Sequence, residues 1–245
     1  MRPYHSGIAR LRALYQLPTP PGRGAALELH LSDRGRVVGE HWPADLVVSC
    51  RLDALANRPW QGPAGTAGAG ECQVSYHEPL PFPPESFDVV ILHHTLDELA
   101  AVFRSKPASQ VAVEWLQKIA AITRPGGVVV GCGRNRTRPR FLSGHQGTPT
   151  EKAEIPSLGI FSCQAALLRA GLQEVQVFNL WPDAEAPSTI ASIEAAASRR
   201  AFRYVLESTR ESLSRPGYVA RRLAVELGVN RLLEQGLFYW GYKPC

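Results

Sequence analysis

Leu80-Pro81-Phe82-Pro83-Pro84-Glu85-Ser86-Phe87-Asp88-Val89-Val90-Ile91-Leu92-His93-His94-Thr95-Leu96-Asp97-Glu98-Leu99 is the stretch from which the fold is read. Its prolines break the chain into a turn. From Phe87 to Leu92 the run is nearly continuously apolar and rich in β-branched residues, the pattern of a strand buried on both faces. His93, His94, Thr95 and Asp97 follow at once, and a helix begins there. Ligands of open α/β sheets bind outside the carboxyl ends of strands, near the point where strand order reverses. These four residues are therefore expected on the functional rim of a sheet. The plainer reading makes Thr95 or Asp97 a helix cap and the histidines satisfied rim residues. Singly, that reading is preferred for each residue; for the cluster, the functional one is.

Outward from this stretch, strands and helices alternate. Ala25–Leu29 and Asp45–Ser49 are short strand candidates, and Val111, Val113, Leu116, Ile119, Ala120 and Ile122 recur at helical spacing. Pro125-Gly126-Gly127 stops that helix and Val128-Val129-Val130 opens another buried strand. A helix over Phe161–Ala170 is expected, capped by Ser162 or Ser157 and stopped by Gly171. Glu174–Leu180 alternates like a strand covered on one face. Two helices, about Ile190–Leu213 and Tyr218–Leu233, precede a last strand over Leu237–Tyr242. Gly62–Gly70 reads as loop, with no strand-to-helix context for a phosphate loop. Such alternation argues for an α/β domain with a mostly parallel sheet.

Composition narrows the classes. Lys plus Arg number 27 against 22 Asp plus Glu, a formal charge of +5, and 44% of residues are hydrophobic, which excludes a disordered chain. No apolar run approaches the ~20 residues of a spanning helix, and no secretory signal is read at the N-terminus. A cytoplasmic protein is the expectation. The five cysteines, Cys50, Cys72, Cys132, Cys163 and Cys245, are odd in number and scattered, unlike a disulfide framework. Only His93 and His94 are close among the histidines, and neighbours on a strand point to opposite faces, so no metal site is expected.

The Leu80–Leu99 stretch resembles the segment around strand four of class I S-adenosylmethionine-dependent methyltransferases. Ile122-Thr123-Arg124-Pro125-Gly126-Gly127-Val128-Val129-Val130 is similar to the same family's helix-to-strand-five junction. The resemblance runs from about Ala25 to Trp181, with Phe238–Tyr242 serving as strand seven. It implies a Rossmann-like, mostly parallel seven-stranded sheet with helices on both faces. The expected organisation is an N-terminal helical segment over 1–22 and a methyltransferase-like domain over 23–245, with a helical insertion at about 183–236. The cofactor implied is S-adenosylmethionine.

The resemblance also places residues. Glu28 is the acid of the first turn, His30 lies where the family carries glycine, and Glu40 is the candidate for the acid that grips the ribose. Tyr76, with His77 beside it, replaces the acid facing the adenine, ahead of Leu80; His93 completes the cofactor set. The first turn, Leu27–Gly35, holds one glycine where several are usual, so Cβ atoms of His30 and Ser32 stand where that turn has none. Methyl transfer needs two reactants held in line and, for a protonated acceptor, one base. His94 and His93 are the first candidates, ordinarily titrating near neutrality; Asp97, Glu98 and His145 come next, although Asp97 and Glu98 read first as acids of a first helical turn.

Arg134, Arg136, Arg138 and Arg140 follow strand five; they read equally as a solvated loop or as a site for a carboxylate, a phosphate or a nucleic-acid backbone. The expectation is methyl transfer to an anionic small or medium-sized acceptor, a small molecule or peptide. The rival is a non-catalytic binding or scaffold subunit that has lost the cofactor, working with a protein partner. A nucleic-acid partner draws only weak support from the insertion's arginines, which are not interleaved with aromatics.

Overall fold

The computed structural model describes residues 18, 24–31, 44–54, 68–135, 157–181, 189–193, 195–208, 210, 215–227 and 236–245. Its strands are β1 (Ala25–His30), β2 (Leu46–Asp53), β3 (Gly68–Ser75), β4 (Phe87–His93), β5 (Thr123–Arg134), β6 (Gln173–Trp181), β7 (Thr189–Ser192) and β8 (Gly236–Tyr242). The helices are α1 (Thr95–Val102), α2 (Ala108–Ile122), α3 (Ile160–Arg169), α4 (Ala195–Ser208) and α5 (Arg215–Glu226). One sheet runs in the order β3-β2-β1-β4-β5-β8-β6-β7. The first five strands in that order are parallel; β8 is antiparallel to both β5 and β6, so β6 points the same way as β5. The strand order reverses between β1 and β4, the switch point at which such sheets take ligands.

The apolar pattern explains the layering. Leu27, Leu29, Val90, Leu92 and Val129 face one side with Leu99, Val111, Trp115, Leu116 and Leu167 of α1, α2 and α3. Ala26, Val89, Ile91, Val128, Val130 and Phe238 face the other side. With side chains buried on both faces, β4 and β5 must be apolar at successive positions, which is how the sequence reads. The Pro-Gly-Gly junction has a physical cause as well. Gly126 takes φ +73°, a left-handed conformation, and its N–H donates to the Lys243 carbonyl at 2.9 Å.

Several expectations are corrected. The sheet has eight strands rather than seven, because Thr189–Ser192 pairs antiparallel with β6. Ile190 therefore lies in a strand, and the helix that follows begins at Ala195. Gly68–Gly70 belongs to β3, where the parallel register Leu46↔Gly68 uses backbone groups that glycine supplies as well as any residue. β5 begins at Thr123, before the Pro-Gly-Gly, with an irregularity in its pairing opposite Phe87–Val89. The N-cap of α3 is Gly159 without any side-chain bond, so neither Ser157 nor Ser162 caps it. Its stop is as expected: Gly171 has φ +85°, and the Leu172 N–H reaches back to the Leu167 carbonyl at 3.2 Å. β6 is covered on both faces in its second half, since Val177 joins one core layer and Leu180 the other. The N-terminal segment 1–22, except Pro18, lies outside the described residues, as do Glu40, His145 and Arg136 to Arg140.

Candidate functional site

The carboxyl ends of β1, β4 and β5 meet the first turn of α1. Thr95, wholly buried, donates from Oγ1 to the Leu29 carbonyl at 2.5 Å, tying the helix start to the end of β1. Glu98 accepts from the Leu31 N–H at 3.3 Å, and Asp97 accepts from the Arg134 N–H at 2.6 Å. Asp97 and Glu98 are thus more than first-turn acids favoured by the helix dipole. They fasten α1 to the chain leaving β5 and to the chain leaving β1.

His94 decides the shape of this rim. It is the N-cap of α1 with φ 60° and ψ 2°, a left-handed conformation uncommon for a residue with a side chain. The alternation of β4 ends there, so His93 and His94 do not point to opposite faces. Their rings meet edge-to-face at 4.6 Å between centroids, and His93 Nδ1 lies 3.0 Å from Cys132 Sγ. One ligand atom from each of His93, His94 and Cys132 falls within 4.8 Å of the other two. That cluster overturns the expectation that geometry would keep metal ligands apart. Cys132 was not singled out in the sequence; its register partner on β4 is His93, which only the pairing reveals.

The electrostatics separate the two histidines. His93 is 3% exposed, and burial, helped by the charge of His94, pushes its pKa down to about 3. Its imidazole is neutral near pH 7 and walled in. The His94 side chain keeps 13% exposure; its Nδ1 lies 3.6 Å from Asp97 Oδ2, and its Nε2 is buried with no hydrogen-bond partner. On the other side of Asp97, burial and the Asp97 charge push the Cys163 thiol up, and burial holds the Tyr239 hydroxyl protonated. The Tyr239 Oη is also buried without a partner.

The cofactor candidates fall in two groups. On the second face, toward the carboxyl edge, apolar side chains give way to Ser49, Glu28, His30, His93 and Cys132, all buried. Glu28 is wholly enclosed. His30 is 5% exposed, and its Nε2 lies 3.0 Å from Ser49 Oγ. Ser49 pairs with Glu28, one level below the His30–Arg51 pair, so the ring folds back onto the sheet face away from the rim. At the end of β3, Tyr76, His77 and Phe103 form an aromatic trio, with centroids 4.6 Å apart for Tyr76–His77 and 5.7 Å for Tyr76–Phe103. Tyr76, Leu80 and Phe103 are partly buried on the first-face core. Phe103 was not read from the sequence: one aromatic past a helix end carries no signal until the fold brings it to Tyr76.

The insertion lies apart from this rim. Among the described residues α4 packs on β7 and α5. Arg203 and Glu226 bind through two hydrogen bonds, Nε–Oε1 at 3.1 Å and Nη2–Oε2 at 2.5 Å. A groove of about 390 Å³ between the helices is lined by Arg203, Leu206, Glu207, Arg222, Val225 and Glu226. No described helix is long and apolar enough to cross a membrane.

Known structures share this fold. The phosphoethanolamine N-methyltransferase 2 of Haemonchus contortus, bound to phosphomonomethylethanolamine and S-adenosylhomocysteine, matches with TM-score 0.54 at 15% identity, over 97% of this chain and 53% of that one. A SAM-dependent methyltransferase from Archaeoglobus fulgidus matches with TM-score 0.53 at 13% identity, over 98% and 96% of the two chains. Geranyl diphosphate methyltransferase in complex with SAM matches with TM-score 0.51 at 12% identity, over 96% and 85%. The fold is that of class I methyltransferases. This chain spans about half the length of the Haemonchus enzyme. No family model matches the chain, and no curated protein matches it in sequence. At these identities the methyltransferase fold is what is shared.

Proposed function

We propose that this chain is an S-adenosylmethionine-dependent methyltransferase acting on a small or medium-sized anionic acceptor. The observation that carries the reading is the switch point itself. The ends of β1 and β4 converge there, α1 is fastened across them, and polar side chains are collected at the rim. The residues present fit a flat, charged nucleoside ligand: the half-buried Tyr76 with His77 and Phe103 can stack a base, and Glu98 lies beside the Leu31 amide. When bound, the cofactor supplies an electrophilic methyl group on a sulfonium. The chain's own part is to hold the acceptor in line and exclude water. His94, on the rim and beside Asp97, is the side chain placed to take a proton from the acceptor. His93, neutral and enclosed, fixes the edge of the site instead.

The anionic acceptor draws support from the arginines that follow β5, and from the phosphate-bearing acceptors in the names of two structural neighbours. The insertion at about 183–236 starts from the carboxyl end of β6, but its described helices pack at the β7 edge, so the acceptor site is assigned to the rim of β4 and β5 and not to them. Calorimetry tests the reading: micromolar binding of S-adenosylmethionine or S-adenosylhomocysteine is expected, and no heat at high protein concentration would refute it. Native mass measurement of the freshly purified protein adds a direct check for a co-purified adenosyl ligand.

One observation favours a second reading, a binding subunit without cofactor. His30, the last residue of β1, carries a side chain bonded to Ser49 where the family resemblance implies glycine. The double substitution His30→Gly and Ser32→Gly separates the two. A large gain in cofactor affinity marks a decayed site; no change or a loss marks a pocket organised differently from that of related folds.

A further inference from the structure

We propose that His93, His94 and Cys132 form a three-ligand site for a borderline-soft divalent cation, Zn²⁺ above all, at the carboxyl ends of β4 and β5. The donor set is two imidazoles and one thiol, which suits zinc and excludes magnesium or calcium, whose ligands are oxygens. Three protein ligands leave the fourth tetrahedral position open for an exogenous group.

Four observations converge on the site. First, the three ligand atoms already lie within 4.8 Å of one another, and tetrahedral zinc bonds of about 2.0–2.3 Å bring such atoms to roughly 3.5 Å apart. An ion would open the 3.0 Å His93–Cys132 contact slightly and draw the widest pair together. Second, the left-handed backbone at His94 is what turns its ring toward His93; strain of this kind collects at functional positions. Third, His94 Nε2 is buried without a hydrogen-bond partner, while Nδ1 faces Asp97 Oδ2 at 3.6 Å. A carboxylate beside the second nitrogen of a ligating histidine is the usual outer support of zinc sites; at 3.6 Å, Asp97 needs to close by a few tenths of an ångström to bond it. Asp97 is itself held by the Arg134 N–H. Fourth, the surroundings are dry. Cys132 is 1% exposed and pairs with the fully buried Phe238 on β8, with Val130 and Ile91 in the same core layer. Zinc, one thiolate and the Asp97 carboxylate sum to zero charge, which suits a buried site.

Binding needs the Cys132 thiol to release its proton to solvent and both imidazoles to be neutral. Metal binding does not depend on the methyltransferase reading. If both hold, His94 serves as a ligand, and the ion in turn lowers the pKa of an acceptor group at its open position.

The test is a cobalt titration of the chelator-stripped full chain. One equivalent of Co²⁺ is expected to give a thiolate-to-cobalt band in the near ultraviolet and the intense visible bands of a tetrahedral centre, both erased by Zn²⁺. Cys132→Ser should abolish the charge-transfer band. His94→Asn, whose side chain tolerates the left-handed backbone, should weaken Co²⁺ binding at least about tenfold while circular dichroism and the urea midpoint show a folded chain. Folded wild-type protein that gives no band, or a Cys132→Ser chain that keeps it through Cys50, Cys72 or Cys245, overturns the proposal. S-adenosylhomocysteine calorimetry on the stripped protein reads the cofactor separately, so failure of one proposal is distinguishable from failure of the other.

Discussion

Burial and the neighbouring His94 set the charge of His93, bringing its pKa from the ordinary 6.5 to about 3 in the folded chain. Between those values the unfolded chain binds a proton that the folded chain refuses. Stability is therefore fully present above about pH 6.5 and is lost as the pH falls toward 3, with a slope of up to about 1.4 kcal/mol per pH unit. His93→Gln keeps a polar side chain that does not titrate. Urea unfolding at pH 7 and pH 5 should show the wild type losing roughly 2 kcal/mol more than the variant on acidification. Equal losses would mean that His93 is solvated and that its contact with Cys132 does not persist. The same enclosure makes His93 a poor proton acceptor for a substrate, which moves the base assignment to His94.

At the scale of elements, α1 is held to the sheet by the hydrogen bonds of its first turn and by Leu96 and Leu99 in the core. Thr95→Val preserves shape and removes the donor to the Leu29 carbonyl, a fully buried bond. A loss of about 1–3 kcal/mol is expected in urea unfolding, together with weaker cofactor binding by calorimetry, since the strap joining β1 to β4 is loosened. A loss below a few tenths of a kcal/mol would show that the strap carries no load. Gly131→Ala probes the neighbouring pair: a Cβ there would come 2.5 Å from Tyr239 Oη and 2.7 Å from the Leu92 carbonyl. Because one of those neighbours is backbone, β5 must shift, and a stability loss of about 1–3 kcal/mol or more is expected by the same measurement. These elements also show what the sequence made legible. β4, α2 and β5 were readable because burial on both faces, or on one helical stripe, imposes a repeating apolar pattern. β7 was not: Thr189–Ser192 is four residues long and gains its pairing only from β6. The rim was half legible. His93 to Asp97 were placed by the end of a strand, but the turn of His94 toward Cys132 depends on a backbone conformation and on a cross-strand register that no local pattern encodes.

For the whole molecule, the sheet divides into a half around the switch point and a half beside the β7 edge. Tyr76, Leu31 and His94 stand just beyond β3, β1 and β4, and Glu98 lies on α1, so a ligand reaching from Tyr76 to His94 would span the ends of four strands, β3, β2, β1 and β4. Among the described insertion helices α4 packs on β7 and α5, and β7, β6 and β8 join this edge to the other half. A ligand that binds only the folded state stabilises it by RT ln(1 + [L]/Kd), about 2.7 kcal/mol at a hundredfold excess over Kd. For a chain of this size each kcal/mol raises the midpoint by about 2–4 °C, so S-adenosylhomocysteine at that excess should raise it by roughly 5–10 °C. Scanning calorimetry resolves how far the effect travels. If β8 couples the halves, one transition moves as a unit, because β8 pairs with β5 on one side and β6 on the other. If the insertion melts on its own, a smaller early transition stays in place while the main one moves. A scan in which no transition shifts at saturating S-adenosylhomocysteine would remove the cofactor reading and leave the binding-subunit reading standing.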